Sequence, residues 1–153
     1  MVKLLDSADP GLRKPCEQIL TINDSIRKLV GEMIELINKL NETSLVACGL
    51  AAPQVGLNIS LFVIHLPSVQ LVALNPVVTK TQGQYKWVEG CLSLPEKLYK
   101  VSRPKLIKFQ YTNLDGEMRS AKFHNDFAGI CQHEIDHLSG TMIDEIGELC
   151  QKG

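Results

Sequence analysis

The period of the apolar residues changes twice along the chain, and that change limits the folds open to it. From Asp24 to Leu40, Ile26, Leu29, Val30, Met33, Ile34, Ile37 and Leu40 step by three and four, the stripe of an amphipathic helix with Asn23 or Asp24 as its N-cap. Then come short β-rich runs. SLFVIHL and LVALNPVV are separated by Pro67 and Ser68, and KLIKFQY and MRSAKF are joined by TNLDGE, whose Asp115-Gly116 is a strong hairpin signal. From Asp126 to Leu138 the helical period returns through Phe127, Ile130, Cys131, Ile135 and Leu138, with Asn125 or Asp126 as the cap and Gly140 as the stop. Helix, strands, helix, with no repeat or linker, predicts an α+β fold: antiparallel strands around a C-terminal helix, plus an N-terminal amphipathic helix.

At 153 residues the chain is expected to be a single domain, 1–153. Hydrophobic residues at 44% and charged residues at 22% are enough for a packed core. A formal net charge of −1 offers no broad basic surface, so neither nucleic acid nor an anionic membrane is the expected partner. The five cysteines (Cys16, Cys48, Cys91, Cys131, Cys150) fall at irregular intervals with no CxxC pair, which excludes a small disulfide framework or a four-cysteine zinc ribbon and favours a reducing compartment. MVKLLDSADPGLRKP does not read as a signal peptide, and no apolar run reaches the roughly 18 residues of a membrane span. The expected location is the cytoplasm.

The last helix carries HEIDH at 133 to 137. His133 and His137, four apart, project from one face with the spacing that two ligands of one metal need, and Glu134 is placed to take a proton from a water that the metal has acidified. The third ligand decides the class. HExxHxxGxxH is matched at Gly140 but has Ile143 where its third histidine belongs, and Glu145 or Glu148 lies too near the helix end to reach back. Cys91, in EGCLSLP after Gly90, would give a Cys-His-His set with one open position and a sharp backbone turn at the glycine. By spacing alone a lone cysteine also reads as a small buried hydrophobe, the reading favoured for Cys16, Cys131 and Cys150.

CGLAAPQ (48–54), EGCLSLP (89–95) and QHEIDHLSG (132–140) occur together and in order, and with DPGLRKPC and the Arg103-Pro104 segment they resemble the peptide deformylases over about residues 9 to 144. The likeness is to short members such as those of bacteriophages, with residues 141–153 expected as a short packed tail. It implies one divalent metal held by Cys91, His133 and His137, Fe²⁺ in the cell and replaceable by Zn²⁺, Ni²⁺ or Co²⁺. It also implies Glu134 as general base and acid, with the Gln54 carboxamide and the Leu92 backbone N–H as oxyanion donors. The implied reaction removes the formyl group from the formyl-methionine of nascent polypeptides and releases formate. The implied partners are those N-formylmethionyl peptides and, transiently, the ribosome, with the protein a monomer.

In such enzymes the peptide lies as an added strand, so main-chain groups near Cys48, Gly49 and Gly90 are expected to bind it. Trp87, Gly129, Ile130 and His133 would line the methionine pocket. Glu89 and Arg103 match a pair that steadies the second motif. His65 and His124 are read as structural. Ala47 replaces the first glycine of the usual GxGLAAxQ pattern, which strains the loop if that position needs positive φ. A short HExxH zinc peptidase, a thiol hydrolase using Cys91 and His133, and a silent nascent-chain binder are the competing readings. The thiol hydrolase leaves Glu134 and the paired histidines unexplained, and a silent binder has no use for Glu134.

Overall fold

Asn23 caps the first helix, α1 (Asp24–Asn41), its side-chain oxygen accepting from the Ile26 N–H at 3.1 Å. The helix buries Leu29, Val30, Met33 and Ile37. The structure, a computed structural model, describes residues 2–43 and 46–152; Met1 and Gly153, the ends of the expected domain, lie outside them. Among the described residues eight strands follow: β1 (Gly49–Ala51), β2 (Leu61–His65), β3 (Gln70–Gln82), β4 (Tyr85–Cys91), β5 (Leu94–Arg103), β6 (Leu106–Thr112), β7 (Met118–His124) and, near the end, β8 (Glu148–Lys152). Between β7 and β8 lie the helix α2 (Asn125–Leu138) and a single turn, α3 (Ile143–Ile146).

The strands form two antiparallel sheets, one ordered β1-β2-β3-β6-β7 and one ordered β4-β5-β8. The fold is thus a mixture of helix and antiparallel sheet. Three apolar clusters hold it. The first joins α1 to β1 and β2 through Met33, Ile37, Leu50 and Leu61. The second packs α2, through Ala128, Cys131 and Leu138, against Phe62, Ala73, Ile107 and Phe109 of the larger sheet. The third gathers Leu12, Cys91, Leu94, Tyr99, Val101, Met142 and Ile143 around the smaller sheet. Each large side chain so buried stabilises by about 1.5–3 kcal/mol before conformational entropy is charged against it.

Several local expectations are revised. YKWVEGC, outside the β-rich runs named above, is strand β4, and Leu92 and Ser93 are the tight link to β5, with Cys91 opposite Leu94. The residue capping α2 is His124, without a side-chain bond, and Asn125 has φ 53. Gly140 is needed where it stands: φ is 79, and a Cβ there would lie 2.7–2.8 Å from the Arg13 and Lys14 backbone. Ala47 is not in the left-handed region, which among described non-glycine residues holds only Asn75, Glu96 and Asn125. Asn41 pins Ala47 instead, accepting from its N–H at 2.7 Å and donating to its carbonyl at 2.9 Å. Gly90 is likewise not left-handed, and the chain is redirected by a register shift between Glu89 and Cys91. The tail after Gly140 carries α3 and β8, with Met142 and Ile143 buried. No helix among the described residues is long and apolar enough to cross a membrane.

Candidate metal centre

The helical period of α2 aims His133 and His137 at the end of β4, where the register shift delivers Cys91. The three ligand atoms lie within 4.8 Å of one another. Cys91 Sγ is 3.5 Å from His137 Nε2, which is 3.3 Å from His133 Nε2. Glu89 accepts from His133 Nδ1 at 2.8 Å. An ionised carboxylate can only accept, so Nδ1 carries a proton, and Nε2, once its own proton is lost, turns a lone pair toward the sulfur and the second imidazole. Two nitrogen donors and a sulfur converging on one point, with the tautomer of one ring fixed from behind, fit a divalent ion.

Burial alone would raise the Glu89 carboxyl, but hydrogen bonds from His133 and Arg103 hold it at about 2. Burial, with the charges of His133 and Arg103, pushes His137 well below the ordinary histidine value, the neutral form a ligand requires. Burial also opposes charge on His133, yet Cys91 and Glu89 outweigh it and raise that group well above its ordinary value. Glu134 is buried and is pushed up to about 7, chiefly by desolvation. Its Oε1 lies 3.9 Å from His133 Nε2, and its Oε2 is buried with no hydrogen-bond partner among the described residues. A carboxyl so placed exchanges its proton near neutrality and has an oxygen free for a reacting group.

Gln54 is 1% exposed and has a fixed orientation: its Oε1 accepts from the Ala51 N–H at 3.0 Å, and its Nε2 points at Ser93 Oγ, 3.3 Å, and Cys91 Sγ, 3.8 Å. The amide thus presents a donor toward the cradle. Gly49 packs against the same place, since a Cβ there would lie 2.9 Å from the Val63 carbonyl and 3.4 Å from Glu134 Cγ. Arg103, 2% exposed, donates to Glu89 from Nε and Nη2 at 3.2 and 2.5 Å and to Asp136 from Nη1 at 2.5 Å.

A cleft of about 760 Å³ opens onto these groups, with Cys48, Gly49, Gln54, Trp87, Glu89, Gly90, Cys91, Leu92, Ile130, His133 and Glu134 on its walls. Gly129, expected there, is not a lining residue: it lies beneath the Trp87 indole, which covers it. Sequence reasoning missed Leu94 to Leu98, which also line the cleft. Pairing QYKWVEG with KLYKVSR as a hairpin would have found them.

The chain matches the model of the family described as polypeptide deformylase over residues 1–152. It belongs to that family. A peptide deformylase of Synechocystis is 38% identical over 140 residues, covering 88% of this chain and 72% of the relative. Among solved structures, the peptide deformylase of Synechococcus elongatus in complex with actinonin superposes with a TM-score of 0.89 at 32% identity, covering 96% of this chain and 79% of that one. The Thermotoga maritima enzyme superposes with a TM-score of 0.89 at 31% identity, covering 95% of this chain and 97% of that one. The protein is therefore an enzyme, a metal-dependent hydrolase that removes the N-formyl group of formylated nascent peptides, and the peptidase alternative is not favoured.

Proposed function

We propose that Cys91, His133 and His137 hold the metal of this deformylase and that Glu134 is its general base and acid. The observation that carries this is the convergence of those three donors beside a buried carboxyl whose second oxygen has no partner among the described residues. A divalent ion in the cradle would supply the Lewis acidity that amide hydrolysis needs at neutral pH. Glu134 accepts the proton of the attacking water and passes it to the departing amine, so that formate and a free N-terminus leave. The Gln54 Nε2 and the Leu92 N–H donate to the formyl oxygen as negative charge grows on it.

Main-chain groups near Cys48, Gly49 and Gly90 bind the peptide as an added strand between β1 and β4. The Trp87 indole and Ile130 receive the methionine side chain, with Gly129 giving the indole room. Glu89 and Arg103 orient His133. Fe²⁺ serves in the cell, with Zn²⁺, Ni²⁺ and Co²⁺ as substitutes, because two imidazoles and a thiolate suit all four. The enzyme works as a cytoplasmic monomer, one catalytic domain spanning 1–153, that meets its substrates at the ribosome and binds no nucleic acid of its own.

The test is formate release from a formyl-Met tripeptide by protein purified anaerobically with Fe²⁺, beside Glu134→Ala. The variant is expected to keep its metal and lose about 10²- to 10⁴-fold in turnover. Equal activity in both proteins, or none in either, contradicts the assignment.

A further inference from the structure

The donors of the cradle come from two different apolar clusters. Cys91 packs with Leu94, Tyr99 and Val101, whereas α2, which carries both histidines, packs through Ala128, Cys131 and Leu138. Apolar packing is non-directional, and nothing in it fixes one cluster against the other to the few tenths of an ångström a metal site requires. Besides the Trp87 indole resting on Gly129, polar groups span the boundary. Arg103, on β5, holds Glu89 of β4 through two donors and Asp136 of α2 through a third. Glu89 stands two residues from Cys91 and holds His133. The second oxygen of Asp136 accepts from Gln132 Nε2 at 3.0 Å, one helical turn back. Asp136 is not a member of the ligand set, and it fills a position of HEIDH to which the HExxH pattern assigns no role.

We infer that Asp136 is a positioning residue for the metal centre: with Arg103 it clamps α2 to the β4–β5 hairpin and so sets the separation of Cys91 Sγ from the two imidazoles. The guanidinium supplies the geometry, since its planar fork fixes both carboxylates in one arrangement, with charge-assisted bonds to each. The inference rests on Cys91, His133 and His137 being the ligands.

The experiment titrates Co²⁺ into the reduced, metal-free, full-length protein and reads the thiolate charge-transfer and d–d bands, with the melting temperature of each metal-free variant alongside. Asp136→Ala is expected to bind Co²⁺ about 10- to 100-fold more weakly and to change the d–d intensity. Asp136→Asn, whose amide oxygen can still accept from Nη1, should stay within about fivefold of the parent. A purely structural role would lower the melting temperature and leave the spectrum of the bound metal alone. Should Asp136→Ala fail to fold, Gln132→Ala takes its place, with about threefold weaker binding expected from the loosened carboxylate. Parental affinity and spectrum in Asp136→Ala, or in Gln132→Ala where that stands in, would overturn the proposal, as would Asp136→Asn matching the full loss of Asp136→Ala. Absence of a thiolate band in the parent protein would instead defeat the ligand assignment beneath it.

Discussion

Replacing Gly129 by alanine tests whether the Trp87 indole is seated by the bare backbone of α2. A Cβ at that position would lie 2.9 Å from both Cε2 and Cη2 of Trp87 and closer still to Cζ2. Carbon atoms rest at about 3.5–4.0 Å, so the ring has to withdraw by about 1 Å. The Trp87 backbone cannot follow freely, because β4 pairs it with Val101 of β5, and Tyr85 stands beside it with ring centroids 5.8 Å apart. The displacement therefore falls on the side chain, toward the cleft. Overpacking of this kind costs about 1–3 kcal/mol. The low end applies here, because the buried indole N–H has no hydrogen-bond partner among the described residues and one side of the ring faces the cleft.

Trp87 is the single tryptophan, so its fluorescence reports the movement directly. Gly129→Ala should show a shifted emission maximum, greater quenching by acrylamide, and a KM for formyl-Met peptides raised several-fold. Because Glu134 and the metal cradle are untouched, kcat should change much less. Unchanged emission together with unchanged KM would refute the packing argument.

Gln54→Ala should lower kcat by about 10²- to 10³-fold with little change in KM, since its donor serves charge that develops in the transition state; steady-state kinetics decide this. Thiol labelling of the native protein should find the exposed Cys150 first and Cys131 only on unfolding, because burial raises Cys131 to about 12; equal rates for the two would contradict the structure. Arg13 donates to both oxygens of Asp144 at 2.9 Å and to Glu145 at 2.5 Å, tying the segment before Lys14 to α3. The hydrogen bond from Arg13 lowers the Asp144 pKa, so the stabilisation is fully present above the ordinary aspartate value of about 3.9 and is lost as pH falls through the depressed one. Arg13→Ala should therefore destabilise the protein slightly at pH 7, by less than about 1 kcal/mol for so exposed a pair, and by progressively less as pH falls through the depressed Asp144 value; a deficit that does not shrink in acid would be inconsistent with the ion pair.

Much of this protein is legible along the chain because the information is local. Residues three and four apart on a helix face each other whatever surrounds them, so α1 and the approach of His133 to His137 follow from spacing alone. The alternation in KLIKFQY and MRSAKF, with Asp-Gly between, likewise fixes β6 and β7. The joint occurrence of CGLAAPQ, EGCLSLP and QHEIDHLSG carries the family resemblance without any geometry.

Tertiary structure decided what depends on elements distant in the sequence. That Cys91 stands 3.5 Å from His137 depends on a strand register shift and on where the β4–β5 hairpin meets α2. That Gly129 lies under Trp87 and off the cleft wall follows from how closely β4 and α2 approach, which no periodicity encodes. Asp136 is the sharpest case. Its place in HEIDH gives it no role, and only the fold brings Arg103 to it, because an ion pair between a strand and a helix 33 residues apart exists only once both are packed. Ligand types and spacing are written in the chain, while the ångström-level separations that make them a metal site come from packing.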